Sequence, residues 1–240
     1  MISLKTELIQ QAFTVNSLQF GSFTLKSGRF VISPSYLILS HTTLHYTRPS
    51  PYFFNAGLLS TGPIIATLAS AYASTILAEF PASHIDVLFG PAYKGIPLAA
   101  TTALVLHTSH NTPVGFAYDR KEVKDHGEGG QMVGVSLKGK RVLILDDVMT
   151  AGTAVRLSIE RVQREGGTVV GVVQCLDREE VGQDGISSTV REIESIVGVG
   201  NVKSILKMRD LILWLEKQDG MEKQLHDMRE YRDQYGITPR

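Results

Sequence analysis

At 240 residues the chain has room for one large domain or two small ones, and 43% hydrophobic with 20% charged residues is the balance of an ordinary globular protein. Its 24 basic and 24 acidic residues cancel, which argues against an electrostatic footprint for nucleic acid or an anionic membrane. The single cysteine, Cys175, leaves no disulfide framework; set in the apolar run VVGVVQCL, it is expected to fill core in a reducing, cytoplasmic compartment.

Residues 4–18 carry Leu4, Leu8, Phe13 and Leu18 at loosely helical spacing, without the unbroken apolar stretch of a signal peptide. Residues 20–29 (FGSFTLKSGR) alternate like a strand and close on a Ser-Gly turn, and residues 52–55 (YFFN) read as the return partner. Ser60 or Thr61 with Pro63 opens a helix running to Phe80. Thr67, Ser70, Ser74, Thr75 and Glu79 interrupt its apolar surface, so a buried core helix is expected there rather than a membrane span. Next come a strand at 86–89, a helix at 95–106 and a strand at 114–118, and then a polar, Gly-rich stretch at 119–136 that reads as a mobile loop. A strand at 141–146 leads to a helix at 153–165, which Gly166 and Gly167 stop. A strand at 168–176, a helix at 190–197, a strand at 202–207 and helices near 209–217 and 221–234 finish the chain. This alternation predicts an α/β fold, a parallel sheet with helices on both faces and the N-terminal hairpin set apart as a small cap. No linker divides it, so one domain is expected: a helix and hood over 1–60, an α/β core over 61–208 and C-terminal helices over 209–240.

Residues 142–154 read VLILDDVMTAGTA: an apolar strand ending in two carboxylates, a Thr-Ala-Gly-Thr loop, then a helical pattern through Val155, Ile159 and Val162. Open α/β sheets bind ligands at this carboxyl edge of a strand. A helix N-terminus behind a Gly-containing loop suits a phosphate, because its first N–H groups lack partners and its dipole is positive there. Asp146 and Asp147 repel phosphate but suit hydroxyls, or a Mg²⁺ that phosphates also ligate. A phosphate loop beside an acidic pair describes a phosphorylated ribose. A helix cap accounts for one Asp or Thr here, but not for Asp-Asp followed by Thr-Ala-Gly-Thr.

Residues 134–140 (GVSLKGK) spell G-x-x-x-x-G-K, yet Arg141 follows the Lys and the strand comes afterwards, so this is a chance match to a P-loop. Residues 118–130 (YDRKEVKDHGEGG) pack Arg120, Lys121, Lys124 and His126 together, with Asp125 and Glu128 interspersed and glycines at the end. In isolation that is a solvated charged loop. Beside a phosphate site, such a loop can close over a polyphosphate and neutralise charge on a departing pyrophosphate. Residues 89–97 (FGPAYKGIP) set Tyr93 and Lys94 before a helix, where a cation is unfavourable unless an anion sits between the two. Phe53 and Phe54 are consecutive, so in a strand one faces the core and the other does not. Arg178, beside Asp177, can pair bidentately with a carboxylate; alone it is an ordinary surface ion pair.

The 142–154 run resembles the phosphoribosyl pyrophosphate (PRPP) motif of the type I phosphoribosyltransferases. Together with GSFTLKSGR, PSPYFFNAG, LFGPAYKGIPLA, RKEVKDHGEGG and LDREE, in that family's order, the chain resembles the orotate phosphoribosyltransferases over nearly its whole length. The resemblance implies a type I phosphoribosyltransferase sheet with a small N-terminal hood. It also implies transfer of phosphoribosyl from PRPP to orotate, giving orotidine 5′-monophosphate and pyrophosphate with Mg²⁺. By the same resemblance Lys26, Tyr93, Lys94, Arg120, Lys121, Lys124 and His126 contact PRPP, as do Asp146, Asp147, Val148, Met149, Thr150, Ala151, Gly152, Thr153 and Ala154. Lys124, Lys121, His126, Asp146 and Asp147 are the catalytic group, and Phe53, Phe54, Thr150 and Arg178 hold orotate, with Arg178 on its carboxylate. Mg²⁺ is held mainly through PRPP, with Asp146 and Asp147 beside it. A homodimer is implied, each catalytic loop closing over the neighbouring subunit's site.

One stretch departs from the family, in which the Lys-Ser-Gly-Arg turn runs almost directly into Ser-Pro-Tyr-Phe-Phe. Here residues 30–49 (FVISPSYLILSHTTLHYTRP) intervene, apolar and with Arg48 their one formal charge. Such a composition is unlike a solvated loop. The stretch is either an insertion that packs in its own right or a retained intron translated in frame, and its composition and position inside a hairpin favour the second. Sequencing the transcript distinguishes the two. A PRPP-sensing regulator without catalysis is the main rival reading; against it stand the zero net charge, the loop lysines and the few residues before Phe20. The PYFFN and LDREE stretches argue against a purine phosphoribosyltransferase.

Overall fold

The computed structural model describes residues 3–25, 48–124, 130–181 and 187–237; for Leu25, Arg48, Ala82, Val123, Lys124 and Gly130 it describes the backbone alone. Helix α1 (Leu4–Thr14) starts where Ser3 Oγ accepts the Thr6 N–H at 3.2 Å, and it buries Leu8, Ile9 and Ala12. Strands β1 (Leu18–Leu25) and β2 (Arg48–Phe54) then pair antiparallel, from Leu18 opposite Phe54 to Leu25 opposite Arg48, as a two-stranded sheet of their own. The expected antiparallel pairing is therefore present; β1 starts at Leu18 and β2 at Arg48, both earlier than the sequence pattern indicated. Residues 26–47, and with them Lys26 and nearly all of the apolar insertion, lie outside the described residues, whereas Arg48 and Pro49 begin β2. Alternation along β2 buries Ser50, Tyr52 and Phe54 on one face and leaves Phe53 on the other, packed against Phe23 with ring centroids 5.7 Å apart.

Helix α2 (Gly62–Glu79) begins after Thr61, with Pro63 in the first turn, where a missing N–H costs nothing. Strand β3 (Val87–Gly90), helix α3 (Gly95–His110), strand β4 (Gly115–Lys124) and strand β5 (Gly130–Gly134) follow. Strand β6 (Arg141–Asp146), helix α4 (Thr153–Arg164), strand β7 (Thr168–Asp177), helix α5 (Thr189–Val197) and strand β8 (Val202–Lys207) complete the alternation. Helices α6 (Met208–Leu215) and α7 (Glu222–Tyr235) close the described chain. Among the described residues no helix is long and apolar enough to cross a membrane.

The second sheet has the order β5-β4-β3-β6-β7-β8, parallel except for β5 at the edge. Strand β6 shows why its middle, Val142 to Leu145, is apolar without a break: Leu143 and Leu145 pack into a cluster with α1, α2, α6 and α7, while Val142 and Ile144 pack with α4 and α5 on the opposite face. Sheets covered on both faces leave only their strand ends for ligands. Chain direction across the sheet reverses at β3, which has β4 on one side and β6 on the other, so the switch point lies between the carboxyl ends of β3 and β6.

One expectation is corrected. The polar stretch 119–136 is not a loop throughout, because Tyr118 pairs with Val133, Asp119 with Met132 and Lys124 with Gly130, leaving residues 125–129 outside the described residues. Polarity misled the reading because the charged residues belong to β4 beyond Tyr118, its last partner on β3, where it pairs with the edge strand β5 alone and no continuous apolar face is needed. The rejected P-loop match stays rejected: Gly134 ends β5, Leu137 is buried and Gly139 sits in a turn.

Where β3 ends, the backbone folds back so tightly that a Cβ on Gly90 would lie 2.1 Å from the Gly95 carbonyl oxygen. This approach fixes the 91–94 loop against the start of α3. Gly90→Ala is expected to lower the unfolding free energy by about 1–3 kcal/mol through overpacking, read by urea denaturation. Gly62→Ala, whose Cβ meets nothing within 4 Å, serves as the neutral control.

Candidate active site

The loop that leaves β6 is held from several sides. Tyr72 donates its hydroxyl to the Asp146 carbonyl at 2.6 Å, and the Asp147 carbonyl accepts from the Cys175 and Leu176 N–H groups at 2.9 and 3.1 Å. Gln174, buried on β7, accepts the Met149 N–H at 3.0 Å and donates to Ser204 Oγ on β8 at 3.1 Å. Thr189 donates to the Thr150 carbonyl at 2.7 Å. Gly152 takes φ +72°, the left-handed turn that suits glycine, and α4 begins behind it with no side-chain cap on its first turn. The result is a fixed loop at the positive end of a helix, a geometry that suits an anion.

Beside it, Asp146 is 9% exposed, and its carboxyl is pushed up to about 6 by burial first and by the charge of Asp147 second. Lys94, from the loop after β3, reaches across the switch point to Asp147 Oδ2 at 2.7 Å. Lys94 is thus paired with a carboxylate of this chain. Lys121 Nζ lies 4.7 Å from the centroid of the exposed Tyr93 ring, a cation–π contact that brings β4 to the same place. Two contacts thus join three segments far apart in sequence, Lys121 to Tyr93 and the adjacent Lys94 to Asp147. Arg120 follows Asp119 on β4 and is half-buried; Lys124 is described in backbone only, and His126 lies outside the described residues. Val148 and Ala151 are half-buried, Met149 is buried, and Thr150, Thr153 and Ala154 are exposed along the loop and the first turn of α4.

Arg178 lies beyond the end of β7 and is buried, not a surface residue, and its partner is Glu180 rather than Asp177. Its Nε donates to Glu180 Oε1 at 2.9 Å and its Nη2 to Ser50 Oγ at 2.9 Å, while Tyr52 lies beneath the guanidinium at 4.2 Å. Tyr231 of α7 donates to the same Glu180 oxygen at 2.8 Å. Ser50 and Tyr52 share the face of β2 that meets Arg178, so the Phe53 side chain points away from it and Phe54 is buried on the Arg178 side. Cys175 is buried and burial pushes its thiol up, in keeping with core filling.

Sequence reasoning missed Gln174, Thr189 and Asp119. Asp119 is 2% exposed, accepts the Ala92 N–H at 2.7 Å and forms an ion pair with Arg161 of α4. The available signal for Gln174 and Asp119 was one polar residue in each of two otherwise apolar strand stretches, VVQCL and FAYD.

This switch point, with its fixed loop and acidic pair, lies within residues 57–203, which match the phosphoribosyl transferase domain family. Over 237 residues the chain is 44% identical to the orotate phosphoribosyltransferase of Shewanella oneidensis, covering 99% of both chains. It is 44% identical to that of Pseudoalteromonas translucida over 238 residues, 99% of this chain and 100% of the other. The crystal structure of orotate phosphoribosyltransferase from Francisella tularensis superposes with a TM-score of 0.76 at 36% identity, over 96% of this chain and 100% of that one. The chain belongs to the orotate phosphoribosyltransferase family.

The raised carboxyl of Asp146 carries a stability signature. Between its ordinary value of 3.8 and about 6, the folded chain binds a proton that the unfolded chain releases. Stability contributed at this residue therefore falls as pH rises through that window, and the full cost, roughly 3 kcal/mol at most, applies above it. Asp146→Asn keeps an oxygen for the Asp147 N–H and is expected to be more stable than the parent at pH 8, with the gain vanishing towards pH 4. Urea denaturation at three pH values reads this; a gain independent of pH contradicts it.

Proposed function

We propose that this chain acts as a pentosyltransferase in the cytoplasm, moving phosphoribosyl from PRPP to orotate and giving orotidine 5′-monophosphate and pyrophosphate for pyrimidine biosynthesis. What carries the reading is the joining of three segments at the switch point of the sheet, Lys121 to Tyr93 and the adjacent Lys94 to Asp147. In this reading the loop from Val148 to Ala154 takes the 5′-phosphate on its N–H groups, aided by the dipole of α4. Asp146 and Asp147 take the ribose hydroxyls and favour positive charge growing on the sugar. Tyr93, Lys94, Arg120 and Lys121 neutralise the pyrophosphate, joined by Lys26, Lys124 and His126. Orotate lies against the backbone of Phe53 and Phe54 and beside Thr150, its carboxylate on Arg178, which requires the Glu180 pairing to open. Its own ring nitrogen supplies the electron pair for the new bond to the sugar while the bond to pyrophosphate breaks, so no covalent enzyme nucleophile is needed.

Mg²⁺ fits this site in a supporting role. Among the described residues no cluster of three His, Cys, Asp or Glu side chains can hold a metal by itself. The crowded pair Asp146 and Asp147, with Lys94 as neighbouring cation, carries negative charge that a cation shared with PRPP would relieve. When bound, the ion neutralises pyrophosphate oxygens as a Lewis acid. In a homodimer the catalytic segment with Arg120, Lys124 and His126 is taken to close over the site of a second copy, Lys121 staying beside Tyr93 of its own chain.

The direct test is loss of orotate absorbance in the near ultraviolet with purified protein, PRPP and Mg²⁺, beside a variant lacking residues 30–48. Turnover by both supports the reading and makes the insertion a tolerated segment. Turnover by the shortened chain alone supports it and marks the insertion as a retained intron. Folded protein silent in both forms points to PRPP binding without catalysis. Lys124→Ala is expected to reduce kcat by about 10²–10³-fold, the loss of one preorganised donor, and a loss below about fivefold removes Lys124 from the machinery.

A further inference from the structure

Two segments of the site come from opposite sides of the sheet's switch point, the 91–94 loop after β3 and the start of α4. They share one buried carboxylate. Asp119 lies one residue beyond Tyr118, the β4 partner of Gly90, so its carboxylate sits where β3 has already turned away. There Oδ1 accepts the Ala92 N–H at 2.7 Å, one residue before Tyr93 and two before Lys94. Its other oxygen pairs with Arg161, two turns along α4 from the phosphate cradle. At 2% exposure this carboxylate cannot be served by solvent, so the Ala92 N–H and Arg161 have to satisfy it. Arg161 is the more exposed partner, its side chain 27% accessible.

We propose that Asp119 is a positioning residue for PRPP: by accepting the Ala92 N–H it orients the pyrophosphate-side loop that carries Tyr93 and Lys94, while its pair with Arg161 steadies the carboxylate against α4. The inference rests on the functional reading above. It gives Asp119 no contact with substrate; its action runs through the Ala92 backbone to Tyr93 and Lys94. Two bonds of different importance are involved. The bond to Ala92 orients the loop, and the pair with Arg161 anchors the carboxylate to α4.

Asp119→Asn and Asp119→Ala separate these contributions. The amide keeps an oxygen for the Ala92 N–H and loses only the charge facing Arg161, whereas alanine loses both. Expected is a rise of about tenfold in the PRPP KM for Asp119→Ala, the cost of one buried N–H left unpaired, with the orotate KM changing much less. Asp119→Asn should keep the PRPP KM near the parent value even where its melting temperature falls. Hydrogen exchange at the Ala92 amide in ligand-free protein gives a second readout, faster in Asp119→Ala and near the parent rate in Asp119→Asn. Equal increases in both KM values, or an Asp119→Asn variant as impaired as Asp119→Ala, overturn the proposal and leave Asp119 a stabilising ion pair. Should the parent itself fail to use orotate, the functional reading falls separately. PRPP titrated with Mg²⁺ into parent and variants, together with the exchange rate at Ala92, still decides whether Asp119 orients that loop.

Discussion

Two adjacent carboxylates at the end of a buried strand form the constraint around which this protein is organised. Ionising Asp146 where it is 9% exposed, beside Asp147, is unfavourable, as its carboxyl raised to about 6 records. Such a pair persists only if the neighbourhood compensates. Lys94 reaches over from the loop after β3 to Asp147 at 2.7 Å, and the backbone on either side is tied down by Tyr72, Gln174 and the Cys175 and Leu176 amides. The site is thus a place where stability is given up for charge, held open by a scaffold that is apolar on both faces of the sheet.

The same scaffold explains why the site lies where it does. Since helices cover both sides of β6, its side chains are consumed by packing and only its carboxyl end remains for chemistry. Reversal of chain direction between β3 and β6 opens a crevice there, and the tight approach of Gly90 to Gly95 sends the intervening loop back over it. Lys94 and Tyr93 are delivered by that turn, and Lys121 by the neighbouring strand β4. Each element supplies one or two side chains, so the crevice depends on the sheet register rather than on any single loop.

A second buried charge system links the hood to the core. Arg178, beyond β7, is enclosed by Glu180, by Ser50 and Tyr52 of β2, and by Tyr231 of α7. A buried guanidinium needs such a set of partners, and these come from the hood strand, the sheet edge and the last helix. The β2 strand that carries Phe53 and Phe54 is therefore registered against the core through its neighbours at positions 50 and 52.

Much of this was legible in the chain. The run from Val142 to Ala154 declared strand, acidic pair, loop and helix, because each depends on local signals: apolar continuity, a Gly at the turn and helical spacing afterwards. Strands β6 and β8 fell where the pattern put them, and the alternation of elements indicated the parallel sheet. The strand pairing inside 119–136 was not legible, since an edge strand can be polar and its partner is decided across the sheet. Nor were Asp119 with Arg161, Gln174 with Ser204, or Arg178 with Ser50, whose partners lie 42, 30 and 128 residues apart. The sequence by itself determined which residues could bear the chemistry and the local shapes that carry them. Only the tertiary structure decided which of them meet and which are spent holding others, because burial and long-range pairing arise when distant strands are brought into register.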